Sequence, residues 1–136
     1  MRTNRRGTQM DADLYKVETE EILACAFEVL NTVGHGFREK SYENSLVVEF
    51  ERREITFEQQ ARFPLEYKGK KVDEFIPDLI AFDKVIIDTK TIERITQNEI
   101  GQMLNYLKIT GHPVALILNF KRPRLECRRV VLSTNG

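Results

Sequence analysis

Cysteine is almost missing from this chain: Cys25 and Cys127 are the only two among 136 residues. Two thiols that far apart in sequence offer neither a disulfide framework nor the clustered ligands of a zinc site. Histidine is as scarce, and neither His35 nor His112 has a partner at ligand spacing, so both read as turn residues. No apolar run approaches the length of a membrane span and no signal peptide precedes the domain, so the expected setting is cytoplasmic, without a membrane partner. Charge of one sign is lacking too, since 21 lysines and arginines balance 21 aspartates and glutamates. Net charge therefore does not announce a polyanion, and any basic surface has to arise by local clustering. The clear cluster is Lys121-Arg122-Pro123-Arg124, followed by Arg128-Arg129. It suits contacts to phosphates, and equally a charged guard on an edge strand.

With 41% hydrophobic and 31% charged residues, and neither a low-complexity tract nor an internal repeat, the chain has the makeup of one globular domain. Residues 1–13 are polar and aperiodic and read as a flexible tail, leaving 14–132 as the domain. From Leu14 to Val33 apolar residues cover most of a helix circumference, which predicts a largely buried helix with Cys25 as a buried thiol. Gly34-His35-Gly36 stops it. A second helix is expected from about Ser41 to Arg53, with Leu46, Val47 and Phe50 inward.

The period then changes to two. Ile55–Gln59 and Phe63–Tyr67 read as strands, Lys68–Lys71 as a turn and Val72–Phe75 as renewed pairing. Thr96-Gln97-Asn98-Glu99 fits a capping box at the start of a helix whose inward stripe is Ile100, Met103, Leu104 and Leu107. Gly111-His112-Pro113 ends that helix, Val114–Phe120 suits a buried strand, and Glu126–Leu132 suits an edge strand whose alternate arginines face solvent. This element order predicts an α/β sandwich with a central sheet flanked by helices, not a regular β-α-β repeat.

The chemistry concentrates between Ile76 and Lys90. Two short apolar runs carry Asp78 at the start of one and Asp88-Thr89-Lys90 at the end of the other. Side chains alternate along a strand, so Asp88 and Lys90 share a face that Thr89 does not. Two carboxylates suffice for magnesium, which keeps several of its waters, and a neighbouring ammonium places positive charge near an attacked phosphate. The alternative is a pair of ordinary strand-end aspartates, one of them ion-paired to a surface lysine.

The hairpin count decides whether the two aspartates meet. A two-residue turn at Asp83-Lys84 pairs Phe82 with Val85, which sets Asp78 opposite Thr89 and turns it away from Asp88. A shared site needs a three-residue loop or a bulge that shifts the count by one.

Pro77-Asp78 followed by Asp88-Thr89-Lys90 resembles the signature of the PD-(D/E)xK nuclease superfamily. Gly36-Phe37-Arg38-Glu39-Lys40-Ser41-Tyr42 matches Gly-x-x-Glu-x-x-Tyr. With the Tyr67-Lys68-Gly69 turn and Gln102-x-x-x-Tyr106, the order of elements is similar to the GxxExxY family within that superfamily, from about Leu14 to Leu132. The family more often has glutamate where this chain has Asp88, and both are hard oxygen ligands.

The resemblance implies a restriction-endonuclease-like sandwich and a Mg2+- or Mn2+-dependent nuclease acting on DNA, with a dimer allowed. It implies Asp78, Asp88 and the Thr89 carbonyl as metal ligands, and Lys90 as the group that orients water or stabilises charge on the phosphate. Glu39 would reach the metal directly or through water, with Gln102 completing the site. Tyr106 would contact DNA from the same helix face, as in RecB-type members, and Tyr42 would pack in support of Glu39. Lys121, Arg122 and Arg124 would contact phosphates. The alternative class is a non-catalytic nucleic-acid-binding or protein-interaction module on the same fold.

Overall fold

The computed structural model describes residues 15–132, so the expected tail over residues 1–13 lies outside the described residues. Helix α1 spans Lys16–Val33 and α2 spans Glu39–Arg52. Strands β1 (Phe57–Gln59), β2 (Phe63–Tyr67), β3 (Lys70–Phe75), β4 (Leu79–Ala81) and β5 (Val85–Lys90) follow. Helix α3 (Gln97–Thr110) then leads to β6 (Val114–Asn119) and β7 (Glu126–Val131).

Five strands form one sheet in the order β1-β4-β5-β6-β7. Strands β5 and β6 are parallel, linked through α3, and the other neighbours are antiparallel. Alternation distributes the side chains. Val85 and Ile87 of β5, with Val114, Leu116 and Leu118 of β6, join a core with α1 and α2. Ile86, Ala115 and Ile117 join a second core with Met103, Tyr106 and Leu107 of α3. Helices thus cover both faces of a mixed sheet, the expected α/β sandwich, and the central strands are buried along almost their whole length, apolar up to Asp88 in β5 and Asn119 in β6.

Three local expectations are corrected. The strands expected between α2 and the motif do not all join the central sheet: β1 pairs directly with β4, while β2 and β3 pair only with each other as a separate ribbon. Helix α1 is one-sided, burying Ile22, Cys25, Ala26, Val29 and Leu30 while Val17 and Phe27 stay 72% and 50% exposed. A helix in an outer layer has one neighbouring layer, so its remaining apolar circumference finds nothing to cover it. On β7, Arg128 and Arg129 are adjacent and so point to opposite faces, Arg128 exposed and Arg129 half-buried.

Both ends of α3 follow local rules closely. Glu99 accepts the Thr96 amide at 2.7 Å and the Thr96 hydroxyl accepts the Asn98 amide at 3.2 Å, which completes the capping box. Gly111 closes α3 in the left-handed region at φ 77°, its amide on the Leu107 carbonyl at 3.0 Å. Strand β1 starts two residues late because Glu54 turns through φ 59° and Ile55 still donates to the Phe50 carbonyl at 2.9 Å.

Candidate active site

The β4–β5 connection has three residues, Phe82-Asp83-Lys84, between the paired positions Ala81 and Val85. Phe82 and Asp83 both take left-handed φ values, 58° and 59°, a conformation that disfavours bulky side chains. Two anchors hold it: the Phe82 amide donates to the Thr56 carbonyl at 2.9 Å and its ring packs into the α1–α2 core. The count this loop sets pairs Leu79 with Ile87 and brings Asp78, one step beyond, across from Asp88. The Asp78 amide donates to Asp88 Oδ1 at 3.2 Å.

Both aspartates are withdrawn from water, Asp88 to 5% exposure. Burial, then the Asp78 charge, pushes the Asp88 carboxyl up to about 7 against the partial offset of Lys90. Asp78 is also raised, first by burial, although Thr89 donates to its Oδ2 from both amide and hydroxyl at 2.9 Å. The pair is oxygen-only, anionic and under-compensated, a donor set suited to a hard cation. Among the described residues no three His, Cys, Asp or Glu side chains gather as a ready metal cage, so two carboxylates are what this chain itself offers.

Lys90 Nζ stands 3.7 Å from Asp88 Oδ2 with its side chain 18% exposed, so it is close to the pair yet open to a ligand. The Thr89 hydroxyl that donates to Asp78 also lies 3.4 Å from the Glu39 carbonyl, so it stands between the pair and the start of α2. Glu39 opens α2, its side chain is exposed, and its charge contributes to the rise at Asp88. Tyr42 fastens this helix start. Fully buried, it donates to the Gly34 carbonyl at 2.6 Å, accepts the Phe37 amide at 3.0 Å and stacks on Phe120 at 4.4 Å.

Two supporting residues escaped the sequence reading. Glu43 is 2% exposed and accepts from Lys40 at 3.0 Å, Gln59 at 2.7 Å and Gln60 at 2.9 Å. Gln60, in turn, donates its amide to the Asp78 carbonyl at 3.0 Å, and the Glu43 charge contributes to the rise at Asp78. A signal existed: Glu43 lies three and seven residues before Leu46 and Phe50, a carboxylate on the buried stripe of its own helix. Asn119 is the second, 2% exposed, with its amide group bonded to both the amide and carbonyl of Ile92, at 3.0 and 2.9 Å, and to Glu126 at 2.9 Å. It pins the chain just beyond Lys90.

On α3, Gln102 is exposed and its side-chain amide lies 3.4 Å from the buried Tyr106 hydroxyl. Burial, then the charges of Asp88 and Asp78, push that phenol up to about 12, so Tyr106 borders the aspartates as a neutral group. The Thr89 carbonyl stays with β5. Lys121, Arg122 and Arg124 occupy the exposed β6–β7 turn, where Arg122 is bound to the Glu93 carboxylate and carbonyl. The His35 ring contacts the Lys121 carbonyl at 3.2 Å, so this turn leans on the glycine break before α2.

No curated protein matches the chain. Among solved structures it is similar to an alkaline exonuclease, LHK-Exo, from Laribacter hongkongensis, with a TM-score of 0.40 and 11% identity over 65% of this chain and 53% of that one. The chain therefore spans about half of that exonuclease's length. The sequence matches the family model of the PD-(D/E)XK nuclease superfamily over residues 16–130, from α1 into β7 and across Asp78, Asp88 and Lys90. By the extent of that match the chain belongs to the PD-(D/E)XK nuclease superfamily.

Proposed function

We propose that this protein hydrolyses DNA phosphodiester bonds with a divalent cation, magnesium or manganese, and that it belongs to the GxxExxY branch of its superfamily. The observation that carries the proposal is the Asp78–Asp88 pair, Asp88 buried and Asp78 half-buried, with the Lys90 ammonium 3.7 Å from Asp88. Nucleases of this superfamily generally use divalent metals. Asp78 and Asp88 would hold the ion, with the Thr89 carbonyl as a further oxygen donor. The bound ion would supply charge stabilisation on the phosphate and an activated water.

The chain's own groups do the rest. Lys90, on the Asp88 face, orients the attacking water and stabilises negative charge growing on the phosphate. Glu39, exposed at the start of α2, reaches the rim of the pair directly or through water. Gln102 and Tyr106 offer polar contacts to the nucleic acid beside the reacting phosphate. Lys121, Arg122 and Arg124 meet backbone phosphates on the neighbouring turn, Arg122 after giving up Glu93.

The test uses purified protein with supercoiled, linear duplex and single-stranded DNA, each in magnesium, manganese and EDTA. Metal-dependent cleavage that disappears in a double Asp78→Asn, Asp88→Asn variant supports the proposal. DNA binding without cleavage in either metal supports the non-catalytic module instead.

A further inference from the structure

The β2–β3 ribbon serves none of the roles above, yet it carries the densest run of lysines among the described residues, three within residues 68–71. Its tip reads Tyr67-Lys68-Gly69-Lys70-Lys71. Tyr67 pairs with Lys70, so Lys68 and Gly69 form a two-residue turn with both φ values positive, 49° and 81°. Asparagine or glycine takes the first such position at least strain, and here a lysine holds it. Lys71 is paired with Glu74 at 3.3 Å. Among the described residues no carboxylate lies at ion-pair distance from Lys68 or Lys70, and Lys68 rests over the Tyr67 ring at 5.3 Å. Tyr67 and Val72 are 63% and 58% exposed, so the tip combines two unneutralised ammonium groups with uncovered aromatic and apolar surface.

Shape and placement agree with the charge. The ribbon is two strands wide, so both outer edges are unpaired, and a register shift at Leu65/Glu66 adds twist. A groove of about 550 Å³, bordered by Leu65, Phe75 and Lys108, separates it from α3. Its root is fixed: Phe75 meets the Tyr106 ring edge-on at 5.8 Å, and Ile76-Pro77 leads straight from β3 to Asp78. Six residues of strand span roughly 20 Å, about six base-pair steps, and a two-stranded ribbon fits the major groove.

We infer that the β2–β3 ribbon is a duplex-DNA docking arm that lays Lys68 and Lys70 on backbone phosphates at the edge of the major groove. The inference rests on the nucleic-acid reading above and concerns a surface separate from the Asp78–Asp88 pair. Its test measures binding of a fluorescein-labelled 24-base-pair duplex, and of one strand alone, across a salt series in EDTA. Wild type is compared with Lys68→Ala/Lys70→Ala, whose exposed side chains leave thermal unfolding unchanged. Loss of two phosphate contacts should weaken duplex binding by about tenfold and reduce the log–log salt slope by about 1.8, with single-strand affinity within about twofold. Unchanged duplex affinity and slope in the variant overturn the arm while wild-type cleavage keeps the nuclease reading intact. Equal loss on duplex and single strand also overturns it, because an extended strand has no groove to fit. A wild type that binds neither DNA overturns both readings.

Discussion

Asp78 donates its backbone amide to the side chain of Asp88 at 3.2 Å, so the two carboxylates share one end of the β4–β5 hairpin. Burial and the Asp78 charge make Asp88 more costly to ionise, while burial and the Glu43 charge do the same to the half-buried Asp78. A divalent cation that binds only the folded protein relieves that repulsion and stabilises it. At ten times its dissociation constant, magnesium or manganese should raise the melting temperature by roughly 5 °C. Asp78→Asn or Asp88→Asn should remove most of that rise, as read by thermal melts with and without the ion. An equal rise in all three proteins would show that the cation acts elsewhere.

Proton binding gives an independent check. With its folded-state value pushed up to about 7 from an ordinary 3.8, Asp88 holds a proton that the unfolded chain has already released between those limits. Native protein then binds more protons than unfolded protein, so this group makes stability fall as pH rises through the window, levelling above it. In EDTA, Asp88→Asn should gain on wild type in urea denaturation as pH goes from 5 to 8. A stability difference between the two proteins that stays constant over that range would mean that the carboxylate is better solvated than its burial indicates. Since the ion competes with the same proton, wild-type metal affinity should climb over the same interval.

Lys90 separates chemistry from binding. Lys90→Ala removes the ammonium but leaves both aspartates, so metal binding by calorimetry should persist while cleavage drops by about two orders of magnitude. Lys90→Arg should rescue poorly, because a planar guanidinium does not replace a compact ammonium. Cleavage at the wild-type rate by Lys90→Ala would assign the activity to a contaminant or another site.

Tyr42→Phe keeps the ring stacked on Phe120 but strands the Phe37 amide and the Gly34 carbonyl. Unfolding in urea should show a loss of about 1–3 kcal/mol, with slower cleavage if the glycine break positions Glu39. A variant as stable as wild type would mean that solvent replaces both bonds at no cost.

The sequence was most legible where the rule is local. The break at Gly34, the capping box at Thr96 and Glu99, and the shared face of Asp88 and Lys90 each depend on residues a few positions apart. Hairpin geometry could be framed as a condition but not decided, since Asp83 tolerates a left-handed turn but Phe82 before it does not advertise one. The strain is tolerated because Thr56, 26 residues upstream, holds the Phe82 amide. The roles of Glu43 and Asn119 were hidden for the same reason, although Glu43 sat on a buried stripe: their partners Gln59, Gln60, Ile92 and Glu126 are distant in sequence. One-sided burial of α1 was misjudged because apolar spacing tells which residues can face a core, not how many layers the fold supplies.

The loop Phe82-Asp83-Lys84 makes length itself the information that this hairpin carries. Substituting any of its side chains leaves the arithmetic intact, whereas removing one residue reverses the parity of every position before it. Asp78 would then look into the α1–α2 core, and Leu79 would take its place beside Asp88. A copy of this gene with one codon missing there would still encode Pro-Asp and Asp-Thr-Lys, yet the letters of the signature would be dealt to opposite sides of the sheet.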